Sequence, residues 1–274
     1  MTCKGKVTIM EKISFVILTW NSEQTIAKCL EGIWGKCTHE NIDFEIFVVD
    51  NGSKDGTVDI IKRNFDKNPI KLIQLPKNFG TTKPRNIALK QCNGDIICVL
   101  DSDAVILEGS LRTIGVMLVK DDSIGILAPK LIFSDGTTQE SVRKFPSVFG
   151  KFSKIFGIIF KLKFRDIDGY KDFPFSQTTE VDYAISACWF FRRELIHDVG
   201  FLDENIFYSP EDVDYGIRVW KKGKKTIYYP DFTVLHYVQR LTHKKIFSRI
   251  ALSHLFGVIY YFYKHRYFKK PSKI

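Results

Sequence analysis

The chain has 274 residues, of which 45% are hydrophobic and 26% are charged, and its formal net charge is +10. These values are ordinary for a folded protein with a sizeable core, and no stretch reaches the roughly 18 apolar residues of a membrane span. The six cysteines show neither a C-x-x-C pair nor zinc-ligand spacing, so we expect reduced thiols in a cytoplasmic protein. Residues 1–10 are too short and polar for a signal peptide.

The first half of the chain alternates between strand and helix signals. The apolar runs are continuous rather than alternating, which is typical of buried strands in a parallel sheet. Ser22 is expected to act as the N-cap of the first helix. This order predicts an α/β fold with a doubly wound, mostly parallel central sheet flanked by helices. The predicted strands are 13–18, 45–49, 70–75 and 95–100, and the predicted helices are 22–34, 55–64 and 82–91.

The second half is less regular. An apolar segment at 181–192 is expected to pair in the sheet, and residues 241–268 have the pattern of an amphipathic helix. Residues 143–178 form a basic, Phe-rich insert. The remaining predicted elements are helices at 110–120, 194–199 and 210–221 and strands at 125–133, 226–229 and 233–237.

The positive charge is concentrated in two segments. Residues 143–165 contain seven Lys or Arg and residues 240–274 contain nine, and neither segment contains an acid. The rest of the chain is therefore acidic. Basic segments with many aromatic residues suit an anionic surface, either lipid headgroups or nucleic acid.

Polar clusters follow four of the predicted strands. Because the carboxyl ends of parallel strands meet at one edge of a doubly wound sheet, these clusters should surround a single crevice. In chain order they are Thr19-Trp20-Asn21, Asp50-Asn51-Gly52-Ser53 continuing to Thr57, Asn78-Phe79-Gly80 with Lys83, Arg85 and Asn86 beyond it, and Asp101-Ser102-Asp103.

The fourth cluster is the most informative because Asp101 and Asp103 are only one residue apart. Two carboxylates this close repel each other unless a cation lies between them. A divalent cation with oxygen ligands is the usual solution, and a diphosphate is its natural companion. An isolated Asp-x-Asp is more often a solvated turn. The neighbouring clusters favour the metal site.

The other clusters have chemical uses at the same edge. Asp50 can accept hydrogen bonds from a base or ribose, and Lys83 and Arg85 can neutralise phosphate. Each also has a plainer alternative. The segment after Asp50 can be a capped strand-to-helix turn, the two cations can lie on a solvated helix face, and Trp20 can pack in the core rather than flank a base.

Taken in order, these clusters resemble the family 2 glycosyltransferases with the GT-A fold. The likeness is greatest to bacterial rhamnosyltransferase-like and cell-surface polysaccharide members, and it covers about residues 11–240. The sequence departs from the family pattern in three places: Trp20 replaces the usual Tyr, Pro84 precedes Arg85, and Thr81-Thr82 fill the preceding loop. The resemblance continues through 186–194, Gly200-Phe201-Leu202-Asp203-Glu204, Glu211-Asp212-Val213-Asp214, Tyr229-Pro230-Asp231 and His236.

The resemblance implies an inverting, metal-dependent transfer from a nucleoside diphosphate sugar to a hydroxyl of a glycan or lipid-linked acceptor. It implies that Asp50 reads the base, that Asp103 ligates Mg²⁺ or Mn²⁺, and that Asp101 contacts the ribose or the metal. His236 corresponds to a further metal ligand in some members, although a partly buried structural histidine is the alternative. The implied nucleotide-sugar contacts are Thr19, Trp20, Asn21, Asp50, Asn51, Ser53, Gly80, Lys83, Arg85, Asp101 and Ser102.

The acceptor side depends on Glu211 and Asp212. An inverting transfer needs a base opposite the departing diphosphate, and a cation to stabilise the leaving group. We expect Asp212 to be the base, with Glu211 as the reserve. The alternative is that both acids only complement the N-terminus of the helix at 210–221.

The resemblance also suggests a division of the chain. Residues 1–240 would form the GT-A domain, with a nucleotide-sugar half at 11–105 and an acceptor half at 106–240 that contains the insert. The tail at 241–274 lies outside the resemblance, and from its basic and aromatic composition we expect it to dock the protein on the anionic inner face of the cell membrane. A catalytically silent sugar-nucleotide-binding protein and a nucleic-acid-binding protein are the alternatives. The two acid pairs argue against both, and we expect no nucleic-acid partner.

Overall fold

The structure is a computed structural model that describes residues 12–65, 69–147, 150, 168–170, 172–237 and 249–266. The strands are β1 (Lys12–Thr19), β2 (Asp43–Asp50), β3 (Ile70–Gln74), β4 (Ile96–Asp101), β5 (Ala104–Glu108), β6 (Ile124–Ile132), β7 (Val142–Arg143), β8 (Thr179–Val181), β9 (Tyr183–Ala184), β10 (Cys188–Arg192) and β11 (Lys225–His236). The helices are α1 (Ile26–His39), α2 (Thr57–Phe65), α3 (Thr82–Leu89), α4 (Leu111–Lys120), α5 (Leu195–Val199), α6 (Glu211–Lys221) and α7 (Arg249–His265).

The described strands build a nine-stranded sheet in the order β3-β2-β1-β4-β10-β6-β11-β5, with β8 paired to β11 beside this path. The first four strands are parallel to one another, and β6 is parallel to β11. β10 lies between β4 and β6 and is antiparallel to both. The predicted doubly wound, mostly parallel sheet with flanking helices is therefore confirmed.

Helices cover both faces of this sheet. Alternate residues of β4 point to opposite sides, so that Cys98 packs with α1, α2 and α4 while Val99 packs with α3, α5 and α6. This alternation explains why β4 reads as an unbroken apolar run in the sequence, since both of its faces are buried. The result is a layer of helices on each side of a central sheet, with the strand ends left open at the edge.

Three local predictions were wrong. Ser22 does not cap the first helix, because α1 begins at Ile26 with Thr25 at its N-cap, and the Ser22 hydroxyl instead lies 2.8 Å from the Ser102 hydroxyl. The two strands predicted at 226–229 and 233–237 are one strand, β11, whose register shifts between Tyr229 and Thr233. The segment 181–192 is not continuous, since it contributes to β8, β9 and β10.

The insert and the tail are described in part. Most of 143–178 and, within the tail, residues 241–248 and 267–274 lie outside the described residues. The described part of the tail is α7, which packs against the C-terminal half of the sheet domain. Tyr261 of α7 is buried in a cluster with Val213 and Ile217 of α6. A Cβ at Gly257 would lie 2.1 Å from the Ser209 carbonyl oxygen, so the helix approaches that backbone closely.

A buried acid links α7 to α6. Asp214 is 0% exposed, and its carboxylate lies 2.6 Å from Lys264 Nζ, 2.8 Å from His265 Nε2 and 2.9 Å from Arg218 Nε. Burial alone would raise the pKa of Asp214, but these contacts outweigh it and the pKa is lowered. Lys264 also donates to Asp203 at 2.6 Å. The end of α7 therefore ties together α6 and the loop before it.

The five described cysteines, Cys29, Cys37, Cys92, Cys98 and Cys188, are buried and free. Among the described residues, no helix has both the length and the apolar character required to cross a membrane.

Candidate functional site

The predicted crevice exists at the carboxyl ends of β1, β2 and β4. Thr19 of β1 is in register with Asp50 of β2, and Leu18 is in register with Asp101 of β4, so the three strands end side by side. Above them lies a cleft of about 260 Å³. Its lining includes Trp20, Asn51, Asn78, Gly80, Asp101, Ser102, Asp103, Phe207, Tyr208 and His236. The four clusters of the sequence therefore gather at one place.

The cleft contains a group of side chains that could hold a metal ion, formed by Asp101, Asp103 and His236. Each residue offers one ligand atom, and these atoms all lie within 4.8 Å of one another. β11 supplies His236, and the Tyr237 amide donates to the Asp103 carbonyl at 2.8 Å, which holds the strand end against the acid pair. Carboxylate and imidazole ligands together suit Mn²⁺ and related divalent ions.

The orientation of His236 supports this use. Its Nδ1 lies 2.9 Å from Gln139 Oε1, and because an amide oxygen only accepts, Nδ1 is the donor. Nε2 then faces Asp103 Oδ1 at 3.5 Å. Burial would lower the pKa of His236, but the Asp103 carboxylate outweighs it and the pKa is raised. A partner on the second ring nitrogen is the usual way in which a ligating histidine is positioned.

Arg85 lies behind the acid pair rather than in the cleft lining. Its side chain is 2% exposed, and it donates from Nη2 to Asp101 at 2.5 Å and from Nη1 to Glu211 at 3.3 Å and Ser186 at 3.0 Å. Burial would lower the pKa of Arg85, but Asp101 and Glu211 raise it. One guanidinium thus connects the end of β4 to the start of α6.

Glu211 and Asp212 occupy the first turn of α6 in different surroundings. Glu211 is buried and accepts from the Ser186 hydroxyl at 3.0 Å as well as from Arg85. Burial, and then the neighbouring Asp212 carboxylate, raise the pKa of Glu211 against the effect of Arg85. Asp212 is half-buried, and its Oδ1 accepts from the Val213 amide at 2.8 Å. The more accessible of the two acids is therefore Asp212.

The turn after β2 is held by its own side chains. Both carboxylate oxygens of Asp50 accept a hydrogen bond from the Ser53 amide at 3.3 Å. Asn21 Oδ1 accepts one from the Lys54 amide at 2.8 Å. Asp50 is only 2% exposed, and Thr19 is buried with no hydrogen-bond partner for its hydroxyl. None of these turn residues lines the cleft itself, although Trp20 and Asn51, their neighbours in the sequence, do.

Asn51 and Gly80 join this turn to the loop after β3. The Asn51 amide nitrogen donates to the Gly80 carbonyl at 2.8 Å, and its oxygen accepts from the Phe79 amide at 2.8 Å. Gly80 has φ +87°, and an added Cβ would lie 2.0 Å from the Phe207 carbonyl oxygen. Lys83 lies outside the cleft lining on the exposed side of α3, with Nζ 5.0 Å from the Phe79 ring.

Some residues of the site were missed from the sequence. Phe207 and Tyr208 line the cleft from the loop before α6, and Gln139 positions His236 from a segment with no regular pattern. Their one signal was position, since Phe207 and Tyr208 come just before the Glu211-Asp212 pair. Ser186 lay within the family-like segment but was given no role.

Two known glycosyltransferases align with the chain over different lengths. TarS, the poly(ribitol-phosphate) beta-N-acetylglucosaminyltransferase of Staphylococcus aureus, is 38% identical over 104 residues, which is 38% of this chain and 18% of TarS. The N-acetylglucosaminyl-diphospho-decaprenol L-rhamnosyltransferase of Mycobacterium tuberculosis is 26% identical over 221 residues, which is 76% of this chain and 71% of that protein. The chain therefore spans a small part of TarS and most of the second relative.

Solved structures share the fold at low sequence identity. TarS 1–349 in complex with UDP-GlcNAc matches with a TM-score of 0.58 and 22% identity, over 85% of this chain and 61% of that one. The mannosyltransferase PcManGT from Pyrobaculum calidifontis, in complex with GDP-Man and Mn²⁺, matches with a TM-score of 0.61 and 17% identity, over 97% of this chain and 67% of that one. These similarities establish the GT-A fold.

The family itself is shown by a longer match. The profile described as glycosyl transferase family 2 covers residues 14–200. This region begins within β1 and ends at the residue after α5, so it includes all four strand-end clusters. As the motifs predicted, the chain belongs to glycosyl transferase family 2.

Proposed function

We propose that this chain is an inverting, metal-dependent glycosyltransferase. It moves a sugar from a nucleoside diphosphate sugar to a hydroxyl of a glycan or lipid-linked acceptor in cell-surface polysaccharide synthesis. The observation that carries the proposal is the meeting of Asp101, Asp103 and His236 at the edge where β1, β2 and β4 end. Relatives whose names specify a polymer acceptor and a diphospho-decaprenol acceptor support the proposed acceptor classes.

The donor side follows from the chemistry of the cleft. Asp103, Asp101 and His236 would hold Mg²⁺ or Mn²⁺, an assignment supported by the Mn²⁺ named with the mannosyltransferase structure. When bound, the cation neutralises charge that develops on the departing diphosphate. Asp50 accepts hydrogen bonds from the base, while Trp20 flanks the nucleotide and Ser102 lies beside it in the lining. The turn residues Thr19, Asn21, Asn51 and Ser53, with Gly80, shape the backbone around it.

The acceptor side is assigned to the first turn of α6. Asp212 removes the proton from the acceptor hydroxyl as the new glycosidic bond forms on the face opposite the departing diphosphate, which gives inversion. Glu211 is buried and engaged by Arg85 and Ser186, so we assign it to positioning rather than to proton removal. Arg85 likewise acts through Asp101 and Glu211, and the exposed Lys83 supplies positive charge near the loop after β3.

A donor-binding experiment tests the metal assignment. Calorimetric binding of UDP and GDP sugars is measured with and without Mn²⁺ for the unmodified chain, for Asp103→Ala and for Asp59→Ala, which changes an exposed acid of α2. We expect Mn²⁺-dependent binding that Asp103→Ala loses and Asp59→Ala keeps. Binding that is indifferent to Mn²⁺, or equal in both variants, would refute the assignment. Release of nucleoside diphosphate separates an enzyme from a catalytically silent binding protein.

The proposal also includes a location in the cell. We propose that the chain acts at the cytoplasmic face of the cell membrane, where the basic residues of 240–274 other than Lys264, which pairs with Asp203 and Asp214, meet anionic lipid at about 1 kcal/mol for each charge near the surface. Flotation with neutral and anionic vesicles tests this, because equal binding to both would remove it. A gel shift at physiological salt tests the nucleic-acid alternative, for which the acidic cleft has no use.

A further inference from the structure

Helix α7 has apolar side chains on two faces, but only one face is covered. Tyr261 is 1% exposed and packs with α6, and Val258 is 8% exposed. Phe256, Ile259 and Tyr263 are 66%, 57% and 80% exposed and share the other face, at the spacing of helical neighbours. A helix that is apolar on both sides is normally buried on both. The second face therefore calls for an occupant.

This uncovered face is one wall of a groove. Phe256, Ile259, Tyr260 and Tyr263 form the helical wall, and Phe207 lies on the facing wall. The groove has a volume of about 770 Å³, and none of the described residues that line it is charged. A groove of this size, lined mainly by aromatic and aliphatic side chains, can bury much of the surface of an apolar ligand.

The groove adjoins the proposed reaction centre through a shared side chain. Phe207 lines both the groove and the donor cleft. The segment that carries it is fixed, since Thr81 and Thr82 hydrogen-bond the carbonyls of Ile206, Phe207 and Tyr208. Tyr260 in turn donates to Asp203 at 2.9 Å, which holds α7 against the same loop. A ligand that extends from the cleft past Phe207 therefore enters the groove.

The charges around the groove suit a ligand with an anionic end. Lys83 is exposed and lies one residue beyond Thr82, next to the segment that carries Phe207. An apolar chain joined to a phosphate-linked sugar would place its chain in the neutral groove and its charge on the side of Lys83.

We propose that the groove between α7 and Phe207 binds the isoprenoid chain of a lipid-linked acceptor. This inference rests on the proposed glycosyltransferase function and narrows its two acceptor classes to one. The chain lies along Phe256, Ile259 and Tyr263, and the diphosphate-linked sugar lies at the cleft beside Phe207. The groove thereby selects acceptors by the length of their apolar chain, separately from the sugar that the cleft recognises.

Binding of geranylgeranyl diphosphate and of inorganic pyrophosphate, measured by calorimetry on the full chain, tests the proposal without requiring transfer. Phe256→Ser changes the groove, and Leu255→Ser is the matched control because Leu255 is 40% exposed on the same helix but does not line the groove. We expect the unmodified chain and Leu255→Ser to prefer the isoprenoid probe at least about 10-fold over pyrophosphate. Phe256→Ser should reduce that preference to about 2-fold or less.

Three outcomes would overturn the proposal. The first is equal affinity for the two probes in the unmodified chain, and the second is an equal loss in both variants. The third is a dimer in sedimentation that Phe256→Ser converts to a monomer, since a second copy would then cover the groove. An equal loss would be explained by insertion of α7 into a bilayer if both variants also bound phosphatidylcholine vesicles more weakly than the unmodified chain, and to the same extent. Failure of the proposed function is separate, because it appears as no diphosphate release from any donor while the isoprenoid probe still binds.

Discussion

Arg85 is the residue whose loss should most damage the link between the two halves of the site. Arg85→Met keeps an unbranched apolar stem but removes the guanidinium charge that lies between Asp101 and Glu211. Two carboxylates then face each other across a buried space without a cation. The change therefore tests whether the guanidinium contributes to the free energy of unfolding.

The magnitude follows from the burial of the partners. Breaking a buried ion pair costs about 3–5 kcal/mol because one charge is left uncompensated. The side chain of Asp101 is 30% exposed and can be partly solvated, whereas that of Glu211 is 9% exposed. We therefore expect Arg85→Met to lower the free energy of unfolding by about 3 kcal/mol, near the lower end of that range. Above about pH 8, adding Glu211→Gln should restore about 1 kcal/mol or more, since the cost of ionising an unpaired buried carboxyl is removed.

The loss should also depend on pH. Without Arg85, the already raised pKa of Glu211 rises further, so the folded chain binds more protons than the unfolded chain. The pKa of Glu211 is already about 8 with Arg85 present, so the free energy of unfolding falls alike in both chains up to that pH, and the deficit of Arg85→Met grows only above about pH 8.

Urea unfolding followed by tryptophan fluorescence measures these values. Arg63→Met is the control, because Arg63 is exposed on α2 and should cost less than about 0.5 kcal/mol. A loss below about 1 kcal/mol for Arg85→Met, or a deficit that does not change with pH, would refute the reasoning.

Three further predictions follow from the same contacts. Asp212→Asn should keep calorimetric binding of UDP but lower transfer, measured by chromatography, about 100-fold or more; normal turnover would exclude Asp212 as the base. Contacts with Lys264 and Tyr260 lower the pKa of Asp203 to about 2 against the effect of burial, so its stabilisation is complete above about pH 4 and is lost as the pH falls toward 2. In urea unfolding, Asp203→Asn should therefore differ from the unmodified chain at about pH 6 and converge with it in acid. Gly80→Ala should lower the free energy of unfolding by more than about 2 kcal/mol. Gly136→Ala, at φ +81° in open space, should lower it by about 1 kcal/mol, and equal losses would exclude the contact between a Cβ at position 80 and Phe207.

The donor half of the site could be predicted because its signals are local. β1, β2 and β4 are buried on both faces, so each reads as an apolar run that ends in polar residues, and topology then brings Asp50 and Asp101 to the same edge. The resemblance to a family added His236, which lies 133 positions from Asp103 in the sequence numbering and reaches it only because β11 pairs with β5. No spacing rule within the chain gives that pairing.

The rest depended on long-range contacts that a linear pattern does not contain. Arg85 has the spacing of an exposed helical cation, yet it is buried because Asp101 and Glu211 come from other elements to neutralise it. Ser22 is a residue type that often caps helices, but its hydroxyl forms a hydrogen bond with the Ser102 hydroxyl instead. In both cases the partner of the polar group is distant in the sequence, so a local pattern does not predict it.

Asp214 makes the tail inseparable from the proposed catalytic helix. Its carboxylate is 0% exposed, and two of its three cationic or imidazole neighbours come from the last turn of α7. A chimera that exchanged the tail to alter acceptor choice would also exchange Lys264 and His265. Compensating changes at position 214 would have to accompany any such graft, because a tail exchanged on its own would leave the buried Asp214 carboxylate with Arg218 as its one remaining cationic neighbour among the described residues.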